Sequence, residues 1–253
     1  MSVDRATLLA YLDNYLKTSQ FRDYAPNGLQ VEGRQEIKKI VSGVTACQAL
    51  LDKAVSLKAD AVLVHHGYFW KGEAPALVGA KYRRIRTLIQ HDINLLGYHL
   101  PLDAHEQVGN NAQLAERLDI DLTGPLVPED RGNVAVRGRL REPLSAQVFA
   151  DKVADALGRK PTLVQAGEHL IETIAVCTGG AQGYIQGAID AGVDAYISGE
   201  ISEHTTHSAR EGGVHYIAAG HHATERYGVQ ALGTHLAEVF DIEHQFIDID
   251  NPA

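Results

Sequence analysis

Two adjacent histidines, His65 and His66, follow the apolar run Asp60-Ala61-Val62-Leu63-Val64 and precede Gly67. Imidazole titrates near neutrality and is the commonest protein ligand for metals, so such a pair points first to metal or acid–base chemistry. The apolar run reads as a buried strand, and in open α/β sheets ligands bind just beyond the carboxyl ends of strands. Neighbouring residues of an extended chain point to opposite sides, which lets two adjacent rings serve two centres. Further along, strand-like runs end in His99 and His221, each with a carboxylate four residues later, Asp103 and Glu225. Residues four apart share a helix face, a condition His221 and Glu225 meet if Ala223 to Val239 is helical. Pro101 argues against a regular helix between His99 and Asp103, which would then converge through a loop. His222 competes with His221; His221 keeps the four-residue spacing. Five or six such donors point to a dinuclear rather than a mononuclear site.

The elements that must carry these residues alternate. Asp4 is placed to cap a first helix with the stripe Leu8, Leu9, Leu12 and Leu16, and Asp23 to Gly28 follows as a loop. Ile37 to Val44, Asp60 to Val64 and Ile93 to Gly97 read as strands. Helices are expected at Cys47 to Leu57, Lys81 to His91 and Asn111 to Leu118, and an aromatic loop at Tyr68 to Gly72. Leu122 to Arg131 is rich in Pro, Gly and Asp and reads as a linker. Beyond it, Asn133 to Leu140, Thr162 to Val164 and Ile171 to Cys177 read as strands. Ser145 and Gly158 bracket a helix. This alternation predicts an α/β class with largely buried sheets, in two domains, 1–125 and 126–253.

The second domain repeats the first. Without gaps, Ile40 falls on Ile174, Gln48 on Gln182, Ala54 on Ala188, Asp60 on Asp194 and Ala61 on Ala195. After a loop of different length, Leu95 to His99 is set against Ile217 to His221, so that His-x-x-x-acid occurs twice. The expectation is two similar, internally duplicated domains with a metal site between them, each delivering a histidine and a carboxylate from a strand end.

Composition narrows the partners. The chain has 253 residues, a formal net charge of −9 and 13 histidines. With no Lys/Arg cluster, a nucleic-acid or anionic-membrane surface is not expected as the main partner. No apolar run is long enough to span a bilayer. The 2 cysteines, Cys47 and Cys177, lie far apart, which argues for a reducing compartment and a cytoplasmic protein.

Several long motifs share one order along the chain: DYAPNGLQVEG from Asp23, VTACQALLDKAV from Val44, ADAVLVHHGYFWKGE from Ala59, HLPLDAHEQVGNNAQLA from His99, then GVDAYISGE and AAGHHATER. On these the whole chain resembles the NIF/YbgI-like dinuclear-metal family, the GTP cyclohydrolase I type 2 homologues, and its bacterial YbgI branch most closely. The resemblance implies two similar α/β domains around a two-metal centre and a homohexameric ring. Carried over, the metal ligands are His65, His66, Asp103, His221 and Glu225, holding two divalent ions (iron, manganese or zinc), with His99 beside them. It also places Asn27, Gly28 and Gln30 near the cavity.

Two metals can activate water and polarise a C=N or phosphoryl group, so a metal-dependent hydrolase is expected; the resemblance implies a nucleotide such as GTP as its substrate. Glu200, His99 and His204 are the candidate catalytic residues, and the choice of general base among them stays open. Glu200 is either at the cavity wall or a loop acid; His204 and His207 fall on a helix where surface positions are common. Tyr68 and Trp70 suit either stacking on a planar substrate or a subunit contact. Gly179-Gly180 offers backbone N–H groups to an anion but lacks a full phosphate-binding pattern. The alternative is a non-catalytic metal-binding hexameric scaffold or a regulatory, interacting protein.

Overall fold

The computed structural model describes residues 1–128 and 134–253. The chain opens with a short strand β1 (Val3–Asp4), and the Asp4 carboxylate accepts the amides of Ala6 and Thr7, starting helix α1 (Arg5–Tyr15). Then come β2 (Gly28–Val31), β3 (Glu36–Ile37), β4 (Lys39–Thr45), α2 (Gln48–Ser56), β5 (Ala61–His66), α3 (Gly79–Gln90), β6 (Asn94–Gly97) and α4 (Leu100–Ala104). The chain continues with α5 (Asn110–Arg117), β7 (Ile120–Pro125), β8 (Val136–Leu144), α6 (Ala146–Leu157), β9 (Thr162–Val164) and β10 (Ile171–Cys177). It ends with α7 (Ile185–Asp190), β11 (Ala195–Ser198), α8 (Glu203–Gly212), β12 (His215–Ala218), α9 (His221–Phe240) and β13 (Glu243–Phe246). No helix among the described residues is long and apolar enough to cross a membrane.

The chain forms two units: residues 1–109 with 228–250, and residues 110–227 with 251–253. The first is built on a five-stranded sheet in the order β13-β4-β5-β6-β2, parallel except for β2. Its strands alternate their apolar side chains between two covered faces. Ile40, Leu63 and Leu96 pack with Leu8, Leu12 and Leu16 of α1 and with Val229, Leu232 and Leu236 of α9. Val41, Val62 and Leu95 pack on Leu50 and Leu51 of α2 and Ile85 and Leu88 of α3. Both faces being buried, the strands read as continuous apolar runs. The second unit holds a six-stranded sheet, β7-β8-β10-β11-β12-β9, whose middle strands β10, β11 and β12 are parallel. Leu114, Phe149 and Val153 cover Ile174, Val176, Ile197 and Ile217 there.

The central strands of the two sheets pair alike: Ile40 lies opposite Ala61 as Ile174 lies opposite Ala195. Asp60 and Asp194 even share a task. Asp60 Oδ2 accepts the amides of Lys38 and Lys39 at 2.8 and 2.9 Å, and Asp194 Oδ2 those of Glu172 and Thr173 at 3.0 and 2.7 Å. Each carboxylate thereby satisfies the free amides at the head of the neighbouring strand.

Four expectations are corrected. The third strands align one residue away from the sequence match. The Tyr98 amide bonds to Val64 O and the Ala219 amide to Ser198 O, so Tyr98 is equivalent to Ala219 and His99 to Gly220. Spacing inside a gapped loop cannot fix that register; the ladder does. The proposed linker at Leu122 to Arg131 begins inside β7, which pairs with β8, because a Gly and a Pro are tolerated on this edge strand; its residues 129–131 lie outside the described residues. The units accordingly divide before α5 rather than at 125/126, and residues 228–250 return to the first unit, where β13 pairs with β4. The strand expected from Asn133 starts at Val136 and runs to Leu144, and Asn133 lies outside the described residues.

Candidate metal centre

In the first unit β5 and β6 lie side by side and deliver three imidazoles. His65 and His66 close β5, and His99 follows β6 as the N-cap of α4. One nitrogen from each of His65, His66 and His99 falls within 4.8 Å of the others, close enough to hold one ion. The His65 and His66 ring centroids are 4.6 Å apart. Asp103 joins it, with Oδ1 3.4 Å from His65 Nε2. His99 and Asp103 belong to one helical segment instead of a loop: the amides of Leu102 and Asp103 both bond to His99 O. Pro101 sits in the first turn, where its missing N–H has no intrahelical partner to lose.

Each ring of this cluster is held by Nδ1. That of His65 lies 2.9 Å from Tyr98 O, that of His66 3.3 Å from Thr45 Oγ1, and that of His99 2.7 Å from Asp23 Oδ1. The nitrogen not used by these bonds is Nε2 in every case. Burial alone would raise the Asp23 carboxyl, but the hydrogen bond and charge of His99, with the Asn27 side chain and the Leu100 amide, hold it down at about 2. β2 and the residue before it also brace the wall: Gln30 Oε1 accepts the Tyr68 amide at 2.7 Å, and Asn27 Oδ1 the His99 amide at 2.8 Å. The Trp70 ring stands edge-on to His99, centroids 5.0 Å apart. Tyr68 is buried with its hydroxyl on Ala46 O, so it is no stacking platform; core packing claims it.

In the second unit His221 is the first residue of α9, and its Nε2 lies 3.2 Å from Glu225 Oε2 one turn on. Its Nδ1 lies 2.7 Å from Oε1 of Glu200, which follows β11. Gln182 Nε2 donates to the other Glu200 oxygen at 3.2 Å. Burial works against a charged ring here, yet Glu225 and then Glu200, by hydrogen bond and by charge, push His221 up to about 9. A cation bound at Nε2 would take the place of that proton. Gly179 borders the site at φ +69°; a Cβ there would fall 2.1 Å from Glu225 Oε1, so a larger residue would have to displace that carboxylate. Its N–H bonds to Thr224 Oγ1 at 3.0 Å, which removes it from the anion site expected at Gly179-Gly180. His204 and His207 are exposed on α8, His207 beside Glu203 at 3.4 Å, and His204 is in none of the metal-capable groups found among the described residues. His222 is buried and its amide bonds to Ala253 O.

The family model for Duf34/NIF3 (NGG1p interacting factor 3) matches residues 3–252. The chain belongs to the Duf34/NIF3 family. A Pseudomonas aeruginosa relative named "GTP cyclohydrolase 1 type 2 homolog" is 60% identical over 253 residues, 100% of both chains. One of the same name from Escherichia coli K12 is 53% identical over 246 residues, 96% of each. Among solved structures, protein ybgI superposes with TM-score 0.95 at 51% identity, covering 99% of this chain and 100% of that one. TTHA1606 from Thermus thermophilus gives 0.90 at 37%, with 99% and 100% covered.

For this Duf34/NIF3 chain, sequence reading missed the groups behind the candidate ligands: Asp23, Thr45, the Tyr98 carbonyl and Gln182. Asp23 opens the DYAPN motif, which is the one available signal. Its partner His99 lies 76 positions away, beyond the reach of any spacing argument.

Proposed function

We propose that the protein is a metal-dependent hydrolase holding two divalent ions, iron, manganese or zinc, on His65, His66, Asp103, His221 and Glu225. The observation that carries this reading is the tethering of His65, His66 and His221 by Nδ1, with Asp103 beside Nε2 of His65 and Glu225 beside Nε2 of His221. Metal-binding histidines are held in this way, and imidazole with carboxylate is a donor set suited to these ions. Bound there, the ions would supply an activated water and a Lewis acid for a C=N or phosphoryl group.

Of the chain's own candidates for proton transfer, His99 is best supported. Its Nδ1 is fixed on Asp23, so Nε2 is the atom that would take and return a proton. Glu200 is engaged by both His221 and Gln182, and its role is to hold the ring. Exposed His204 is left without a chemical role. Trp70 screens one edge of His99 and would exclude water from it. The name shared by the relatives supplies the substrate to try first: GTP, with hydrolytic opening of the guanine ring and release of formate.

Elemental analysis after loading and desalting should find about two ions per chain. A folded protein that retains none removes the site. Nucleotide turnover, followed by chromatography and formate detection, tests the reaction. Retention of the metal with no turnover of GTP or other nucleotides would favour the scaffold reading instead.

A further inference from the structure

We infer that Asp23 is a positioning residue of the metal centre: it locks the His99 ring with its proton on Nδ1, so that Nε2 is the nitrogen offered to the cluster. The inference rests on the metal-site reading above. The Asp23 side chain is 3% exposed and both its oxygens are occupied. Oδ1 accepts the Tyr24 amide at 2.6 Å and faces His99 Nδ1 at 2.7 Å; Oδ2 accepts from Asn27 Nδ2 and the Leu100 amide, each at 2.9 Å. Four groups from two chain segments prevent this carboxylate from rotating. An ionised carboxylate only accepts, so the nitrogen facing it must carry the hydrogen. With both oxygens filled, Asp23 is not itself a ligand.

The second unit contains the same device from unrelated positions. Glu200 holds His221 by Nδ1 at 2.7 Å, and the amide of Gln182 braces Glu200 as that of Asn27 braces Asp23. Asp23 comes from a loop before β2, whereas Glu200 follows β11. By strand pairing His99 is equivalent to Gly220, so neither partner of the pair is a copy of the other. His65 and His66 are held instead by neutral groups, a carbonyl and a hydroxyl. A carboxylate tether raises the basicity of the ring it holds, so His99 is the better proton acceptor for it and His221 the stronger metal donor.

Asp23→Asn tests this, because the amide is isosteric and can present N–H where the carboxylate accepted. Magic-angle-spinning 15N spectra of chelator-treated, histidine-labelled protein, assigned with His99→Gln, read the tautomer directly. Wild type should show His99 protonated at Nδ1 and Asp23→Asn at Nε2, while His65, held by the Tyr98 carbonyl, stays unchanged. Zinc affinity, measured by competition with a chromophoric chelator, should stay close to that of wild type, because His99 stands beside the five ligands and is not one of them. An unchanged tautomer overturns the inference. If wild type binds no zinc, the metal reading fails, and the tautomer alone decides whether Asp23 positions His99. Should Asp23→Asn not fold, Asp23→Ser keeps a cap for the Leu100 amide without the carboxylate and is read in the same way.

Discussion

A histidine gives a metal one of two nitrogens, and what holds the other decides which. In this protein the holders are Tyr98 O, Thr45, Asp23 and Glu200, all acting on Nδ1. The two acids nearest the remaining nitrogens are Asp103 and Glu225, on His65 and His221. Asp103→Ala and Glu225→Ala should each lose at least one ion and any hydrolytic activity while still melting cooperatively. His105→Ala should do the reverse. Its Nδ1 accepts the Gln107 and Val108 amides and its ring lies 4.3 Å from Tyr15, so loss of about 1–3 kcal/mol with metal retained is expected. His222→Ala should also keep the metal. Metal content and thermal unfolding of the four variants side by side would sink this assignment if Glu225→Ala kept both ions and His222→Ala lost them.

Elements place these residues through their ends. Helix α4 starts on His99 because Pro101 is harmless in a first turn, and α9 starts on His221 with Glu225 on the same face. The turn after β10 is equally constrained. Gly179 is left-handed at φ +69° and its missing Cβ leaves room for the Glu225 carboxylate. Gly179→Ala should cost about 1–2 kcal/mol in backbone strain and push Glu225 aside, weakening metal retention more than stability. Calorimetry with metal analysis checks it; an alanine variant with full metal content would show that the carboxylate does not need that space.

At the scale of the whole molecule, the chain returns to its first sheet at the end, where β13 pairs with β4 and His244 meets Ser42 Oγ at 2.7 Å. Burial pushes His244 down to about 4 from 6.5. The unfolded chain therefore binds the extra proton across that window, and stability falls as pH drops from 6.5 to about 4, with no further contribution from this ring below it. His244→Gln should flatten the melting temperature against pH in that window; an unaltered slope would assign the acid sensitivity to other groups. The family resemblance also predicts a homohexamer, and light scattering that gives a monomer at micromolar concentration would contradict it.

Buried strands were legible because their apolar runs are local, as at Val62 to Val64, and so were the caps at Asp4 and Ser145, whose partners lie within three residues. The ligand candidates were legible because His-His and His-x-x-x-acid are short patterns of unusual chemistry. What the tertiary structure decided is non-local. Strand ladders set Tyr98 against Ala219 and moved the repeat by one residue. A first-turn proline turned an expected loop into α4, and pairing with β8 took part of a linker into β7. Core packing claimed Tyr68. Asp23 became the holder of His99 only because folding brings a loop carboxylate across 76 positions to one ring nitrogen, and hydrogen-bond geometry of that kind leaves no period in a sequence.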